Sequence, residues 1–515
     1  MWKIVGVIMV FFINSSWAFD FDSGNGGVNI KAAIAESDIE LPAIGAKTDT
    51  SIALKRDVKE WTVMVFVNAK NNLESYGLKD VNEMEMVGSS DKVNIVAEVG
   101  RIKGYSSDDG DWTGCRTYYI KKDNDTNKIT SPYLKETAKC DMGSWEYLVD
   151  FVKWTKENYP AKKYILVVWN HGSGWNKGGD ISLLNIVDKG ISYDDETRNH
   201  ITTPQLRMAL EKVGGVDILA MDACLMQMIE VAYEVKDYAK VVVASEETEP
   251  GDGYTYNTWL DPLVKNPAAD VKLVAKYMVD SYGDHYQSVG QGATQSAVDV
   301  TKFVKLRALI DDFVTAVMNA NDVTNVKNAR TNAQKFYYSS NKDLYHFIKL
   351  VVDNTQFDDV KAKGNEVLKF MKDEVIIHNR AYGSSYKNAY GLAVWVPYSY
   401  STSYDELMWA KDSKWDDLIK WINKENDYLM KGSISRKKNW VTEWIIKPCI
   451  AWIVQQICST VWDEIKKQYV EVCREEKMCK EYATDSNSIG TPHVSPQQQY
   501  EVEHNLQKSR ILVME

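Results

Sequence analysis

Histidine and cysteine are both scarce in this chain, seven of each in 515 residues. Neither falls into a familiar metal or redox pattern. There is no HExxH, no CxxC and no GxxxxGK(S/T), which removes the zinc-peptidase helix, the thioredoxin-type pair and the phosphate-cradling loop as sources of function. No GxSxG turn of a serine hydrolase occurs, although Ser173 lies in a Gly-rich stretch. Positive charge is also short: 61 Lys and Arg stand against 72 Asp and Glu, a formal net charge of −11. Non-specific nucleic-acid binding rests on basic surface that neutralises phosphates, so this balance argues against it. No EF-hand loop appears. The Trp-rich run "NWVTEWIIKPCIAWIVQQICSTVW" is broken by Glu443, Lys447, Gln455 and Gln456, which argues against a membrane span.

Residues 1–18 read as a signal peptide. Lys3 supplies a positive start, "IVGVIMVFFI" an apolar centre, and Ser16 and Ala18 the small residues before a cut. The mature chain is therefore expected outside the cytoplasm, secreted or periplasmic. In an oxidising compartment an odd cysteine count leaves one thiol over. Cys115 and Cys140 flank a polar loop, while Cys449, Cys458, Cys473 and Cys479 crowd a short C-terminal stretch, with three pairings open among them. Cys224 is alone between Cys140 and Cys449 and is the natural free thiol.

Residues 19–58 are polar and aperiodic, a linker or pro-segment. From 59 to 262, buried-strand patterns ("WTVMVFVNA", "VNIVAEVGR", "YILVVWN", "VDILAMD", "KVVVASEE") alternate with helical ones, which implies a mostly parallel sheet covered on both faces, an α/β/α sandwich. Residues 263–430 read as a helix-rich second portion, with strand candidates "QSAVDV" and "YGLAVWVPY" and a helix "VLKFMKDEVIIHN". Residues 431–515 form a Cys- and Trp-rich helical extension and tail. His285, His346 and His378 fall in helical patterns, and His200 in a loop without a clear partner.

Two apolar runs end in chemistry. "YILVVWNHGSGW" leads into His171 and Gly172, and "DILAMDACL" into Asp222 and Cys224. Parallel sheets bind ligands at the carboxyl ends of their strands, so both endings belong to one edge. A thiol attacks a carbonyl as thiolate, and an imidazole can take its proton, so the pair points to acyl transfer. The Gly172 N–H can approach a substrate oxygen without a Cβ in the way. The Cys224 N–H is expected to open a helix through "LMQMIEVAYEV", where the dipole favours negative charge. Asp222 reads equally as a substrate-binding acid beside the nucleophile or as a helix N-cap.

"NHGSGW", "DACLMQMIEVAYE" and "ASEETEPGDGYTY", with the opening "WTVMVFVNAKNNLE", resemble the clostripain-type cysteine peptidases, which have a caspase-like fold related to those of gingipains and legumain. The resemblance runs from about 59 to 425. It implies His171 as the catalytic histidine, Cys224 as the nucleophile and Asp222 as the acid that selects Arg or Lys. It adds Asp252 as a second acid, for which a turn role between two glycines is the plain alternative. It implies protein or peptide substrates, and self-cleavage between the His and the Cys, with Lys189 as the first candidate and Lys177 and Arg198 as others. No cofactor is required by the residues, although the resemblance allows calcium. Asp194, Asp195 and Glu196 read instead as a solvated loop. The rival readings are a non-catalytic surface or peptide-binding protein that keeps the fold, and an amidase or transpeptidase.

Overall fold

Every second residue of the first strand faces the opposite layer, and both faces are apolar. In β1 (Lys59–Ala69), Met64 and Phe66 enter one hydrophobic cluster and Val63, Val65 and Val67 the other. The same parity continues through the neighbouring strands: Leu166 and Val168 against Ile165 and Val167, and Leu219 and Met221 against Ile218 and Ala220. A strand with no polar face can only lie in the middle of a sandwich, which is how a continuous apolar run becomes a central parallel strand. The computed structural model describes residues 58–175 and 190–424.

The remaining sheet strands are β2 (Val93–Arg101), β3 (Gly114–Tyr119), β4 (Tyr133–Thr137), β5 (Ala161–Trp169), β8 (Ile218–Asp222), β9 (Val241–Ala244), β10 (Ala293–Asp299) and β12 (Ile376–Tyr382). The nine-stranded order is β12-β10-β9-β8-β5-β1-β2-β3-β4. The five strands from β9 to β2 are parallel, and the flanking pairs β10/β12 and β3/β4 are antiparallel. One face is covered by helices that include α1 (Glu74–Glu85), α5 (Tyr256–Lys265) and α6 (Val271–Ser288). The other is covered by α2 (Trp145–Asn158), α3 (Thr203–Lys212), α4 (Ile229–Glu234) and α7 (Phe303–Asn319) among others. The expected α/β/α sandwich with a mostly parallel sheet is the observed one. Strands β10 and β12 extend the same sheet, so residues beyond 262 continue the layer that the earlier strands begin.

The chain passes from β1 to β2 on one side, and from β5 to β8 on the other. The connections diverge at β1/β5, and in such sheets ligands bind at the carboxyl ends beside that switch point. Below this edge, Lys70 is fully buried. Its Nζ lies 3.1 Å from the Asp194 carboxylate, 2.6 Å from Glu196 and 2.6 Å from the Cys140 carbonyl. Asp194 also accepts from the N–H groups of Met142, Glu196 and Thr197, which ties the small hairpin β6 (Ile191–Asp194) and β7 (Asn199–Ile201) to the end of β1. Asp194 therefore departs from the solvated loop expected of it. Cys115 and Cys140 are joined in a disulfide, and Cys224 is the free cysteine among the described residues.

Other local expectations change. The helix expected through "VLKFMKDEVIIHN" stops at Phe370, the end of α10 (Asp358–Phe370). A wide turn follows, and Ile376 to Tyr382 pair with β10 as an edge strand, which carries His378. His378 Nε2 lies 2.6 Å from Asp280 on α6. His285 is helical as expected, as is His346 on α9 (Leu344–Asn354). His200 is on β7, with its ring stacked on Tyr193. The signal segment, the linker to 57, Lys177 and Lys189, and the C-terminal extension lie outside the described residues.

The Lys70 network has a measurable consequence. Lys70→Met should lower unfolding stability by about 3–5 kcal/mol in a urea titration, because it strands the buried Asp194 charge. A loss within about 0.5 kcal/mol would show that Asp194 does not depend on its cation.

Candidate active site

Four adjacent parallel strands deliver side chains to one edge: Asn72 after β1, His171 after β5, Cys224 after β8 and Glu249 after β9. The register makes the meeting specific. Trp169 pairs with Asp222 across β5 and β8, so His171 and Cys224 each lie two residues beyond paired positions on strands that run side by side. The strands stay coupled past their ends, where Asn170 N donates to Asp222 O at 3.1 Å. A Cβ on Gly172 would lie 2.5 Å from the Cys224 carbonyl oxygen, so only glycine fits this approach. The two segments are in contact.

His171 Nε2 lies 2.8 Å from Asn72 Oδ1. An amide oxygen accepts only, so Nε2 carries the proton and Nδ1 holds the lone pair. Burial pushes the imidazole pKa down, against the smaller opposing pull of Asp195. Burial pushes the Cys224 thiol up, partly offset by the Glu249 N–H that donates to Sγ at 3.3 Å. Burial thus favours the neutral form of each group, and among the described residues no hydrogen bond joins them.

The backbone around the sulfur differs from the expected helix start. β8 ends at Asp222, and α4 begins only at Ile229. Between them Leu225 adopts φ +64°, Leu225 N donates to Glu247 O and Gln227 N to Ser245 O. The segment pairs sideways with the chain leaving β9 instead of coiling, so the Cys224 N–H does not open a helix and Asp222 does not cap one. Gly172 bridges to Ile191 through Ser173 N to Gly190 O and Ser192 N to His171 O. That pattern leaves the Gly172 N–H directed away from its bridge partner.

Asp222 is 4% exposed. Tyr256 O–H donates to its carboxylate at 2.9 Å and Tyr254 N–H at 3.2 Å. Burial holds its pKa up at about 6, although these donors pull it down. Gly253, at φ +57°, brings its backbone against the same carboxylate. Asp252, by contrast, is about half exposed and meets Lys79 at 2.9 Å and His285 at 3.6 Å. The first acid thus sits in the floor of the site and the second at a rim, already paired.

Two residues were not singled out in the sequence. Asn72 gives no pattern of its own beyond following an apolar strand. Glu249 sits in "SEETEP", an acid-dense run directly after a buried strand, and that density was its available signal. Both Glu249 carboxylate oxygens are sealed from solvent. Burial, and then the charges of Asp222 and Cys224, push its pKa well above the usual carboxylate range. Among the described residues no group of three or more His, Cys, Asp or Glu is placed to hold a metal ion.

Iodoacetamide should alkylate Cys224 more slowly at pH 7 than a free cysteine, with the rate climbing through a pH above the ordinary thiol value of about 8.5. An inflection below that value would mean that a thiolate–imidazolium pair pre-exists.

Comparison with known proteins accords with this geometry. The sequence profile of the clostripain family, Peptidase C11, matches residues 65–422. Clostripain of Hathewaya histolytica is 32% identical over 245 residues, which cover 42% of this chain and 44% of that protein, so the match spans less than half of the relative. A secreted C11 cysteine protease from Bacteroides thetaiotaomicron, solved with an irreversible peptide inhibitor, shares the fold at a TM-score of 0.52 and 18% identity, covering 70% of this chain and 99% of that one. An inactive zymogen C11 protease from Parabacteroides distasonis gives a TM-score of 0.52 at 21% identity, with the same coverages. The chain belongs to the clostripain family of cysteine peptidases.

Proposed function

We propose that the protein is an exported cysteine endopeptidase that cleaves peptide bonds after Arg or Lys. The observation that carries this reading is the register of β5 against β8, which puts the end of an imidazole-bearing strand beside a free thiol. Membership of the clostripain family supports the peptidase class, and the fold shared with secreted C11 proteases supports export. Among the described residues no helix is long and apolar enough to cross a membrane.

In this reading the substrate carbonyl enters between His171 and Cys224. The thiol proton passes to the imidazole as Sγ bonds to the carbonyl carbon. The Gly172 and Cys224 N–H groups receive the developing oxyanion, a contribution of roughly 3–4 kcal/mol per donor. The imidazolium returns its proton to the departing amine, leaving a thioester that water hydrolyses with His171 as base. Asn72 holds the ring in the tautomer that the first transfer needs. Asp222 receives the basic substrate side chain. Asp252, held by Lys79, has a weaker claim to share that role. Self-cleavage at Lys189, or at Lys177, belongs to the same proposal, and the zymogen form of a structural relative supports looking for it.

Arginyl and lysyl reporter peptides should be hydrolysed, with kcat/KM lowered at least about 10³-fold by Cys224→Ala and by His171→Ala. Asn72→Ala should cost about tenfold, largely in kcat, as one orienting hydrogen bond is lost. A chain that binds these peptides and never cleaves them, before or after proteolytic nicking, would be the non-catalytic binding protein instead.

A further inference from the structure

The chain carries an excess of negative charge, yet one group of cations is left without acids. β11 (Asn341–Asp343) pairs antiparallel with β13 (Ala393–Trp395), and on its other side Lys342 bridges to Lys335. Phe336 N donates to Asn341 O at 3.2 Å and Asp343 N to Gln334 O at 3.0 Å, so the bonds flank the two lysines. In such a pair the side chains share one face at their closest cross-strand approach, and like charges so placed are destabilising. Lys342 is only 2% exposed, whereas Lys335 is exposed, so the pair runs from the interior to the surface. Arg330 on α8 (Val323–Asn332) is 3% exposed. Its Nη1 donates to Pro397 O at 3.0 Å and Asn423 Oδ1 at 2.9 Å, and its guanidinium lies 4.2 Å from the centre of the Tyr398 ring. Pro397 follows Val396, whose N–H donates to Ser340 O, so the guanidinium is anchored where β13 leaves β11. Its Nε is sealed and has no partner. Among the described residues Lys342 Nζ has no hydrogen bond, and none of the three cations has an ion pair. Asp343, next in the chain, points to the other face, where the N–H groups of His346 and Tyr390 hold its carboxylate. Burial, and then the charges of Lys335 and Arg330, push the Lys342 pKa down to about 8, so the amine still carries its proton at pH 7.

We propose that Lys342, Lys335 and Arg330 form an anion-binding site for a tetrahedral dianion of phosphate or sulfate type, free or as an ester. A buried charge without a partner is costly, and the cost falls when an opposite charge enters. Three cations meet there, so a monocarboxylate would leave most of the charge standing, while a dianion nearly balances it. The donors suit such oxygens: ammonium groups act as point charges, and the unpartnered edge of the guanidinium supplies directed N–H groups. The exposed Lys335 marks the way in. The lysine bridge also closes the base of the loop 336–340. Within it Tyr337 N–H donates to Glu247 Oε1 at 3.0 Å, and Glu247 O accepts from Leu225 N, next to the nucleophile. An anion at the base therefore fastens a loop that borders Cys224, whichever peptide bond is cleaved.

The test uses the full chain in calorimetry at about pH 7, with sodium chloride holding the ionic strength constant. One inorganic phosphate should bind per chain with a Kd below about 1 mM, sulfate similarly, and acetate at least about tenfold more weakly. Lys342→Met should abolish binding, and Lys335→Ala, at an exposed position that does not threaten folding, should weaken it about tenfold. In urea without phosphate, Lys342→Met should unfold at no lower a midpoint than the wild type, since it removes an unpaired buried charge. Phosphate should then raise the wild-type midpoint alone. Glucose 6-phosphate separates the sources: binding tighter than that of inorganic phosphate assigns the site to an ester, weaker binding to the free ion. No saturable binding of phosphate or sulfate by the wild type below about 10 mM, or equal binding by Lys342→Met, would overturn the inference. Should Lys342→Met fail to fold, undiminished binding by Lys335→Ala would overturn it instead.

Discussion

The register between two parallel strands is the constraint on which everything else depends. If β5 slipped by one residue against β8, every side chain of β5 would change face, and His171 would turn from the edge toward a helical layer. Both faces of these strands are packed, Leu166 and Val168 into one cluster and Ile165 and Val167 into the other, so slippage would disrupt two cores at once. The hydrophobic sandwich thus acts as the jig for the chemistry. Together the two clusters fix where the imidazole and the sulfur stand. The Lys70–Asp194 network adds a second fastening, holding the hairpin that follows His171 against the end of β1.

Burial then sets the electrostatic character of the site. Removing the imidazole from water favours its neutral form, and removing the thiol does the same. Burial thus keeps the thiol protonated until a base takes its proton. The acids on the neighbouring strand ends follow the same physics. Asp222 and Glu249 carry raised pKa values because little water reaches them.

Much of this was legible in the residues themselves. Unbroken apolar runs such as "YILVVWN" and "VDILAMD" can only be central strands, and strand ends are where such sheets present function. Cysteine parity isolated Cys224, and among the described residues it is the free cysteine. Less legible were features decided by contacts distant in the chain. The stretch after Cys224 has helical periodicity, but its N–H groups are taken by Ser245 and Glu247 from the next strand's exit, and Leu225 turns left-handed. "DEVIIHN" reads as a helix by local propensity and becomes an edge strand because β10 offers it unpaired backbone. Asp194 looked like one of three exposed carboxylates until Lys70, more than a hundred residues earlier, appeared beneath it. Asn72 and Glu249 belong to the same class, since each acquires meaning only from the strand end beside it.

The account stands or falls on the sulfur and the imidazole serving one amide, with a basic side chain held alongside. The most direct measurement is a structure of the chain after reaction with an arginyl peptidyl chloromethyl ketone, which loses chloride as a thiolate bonds to its methylene carbon. A thioether from Cys224 Sγ, the ring of His171 within hydrogen-bond reach of the inhibitor's ketone oxygen, and the guanidinium against Asp222 is the predicted result. Attachment elsewhere, or at Cys224 with the arginine side chain lying away from Asp222 and His171 still remote, would contradict it.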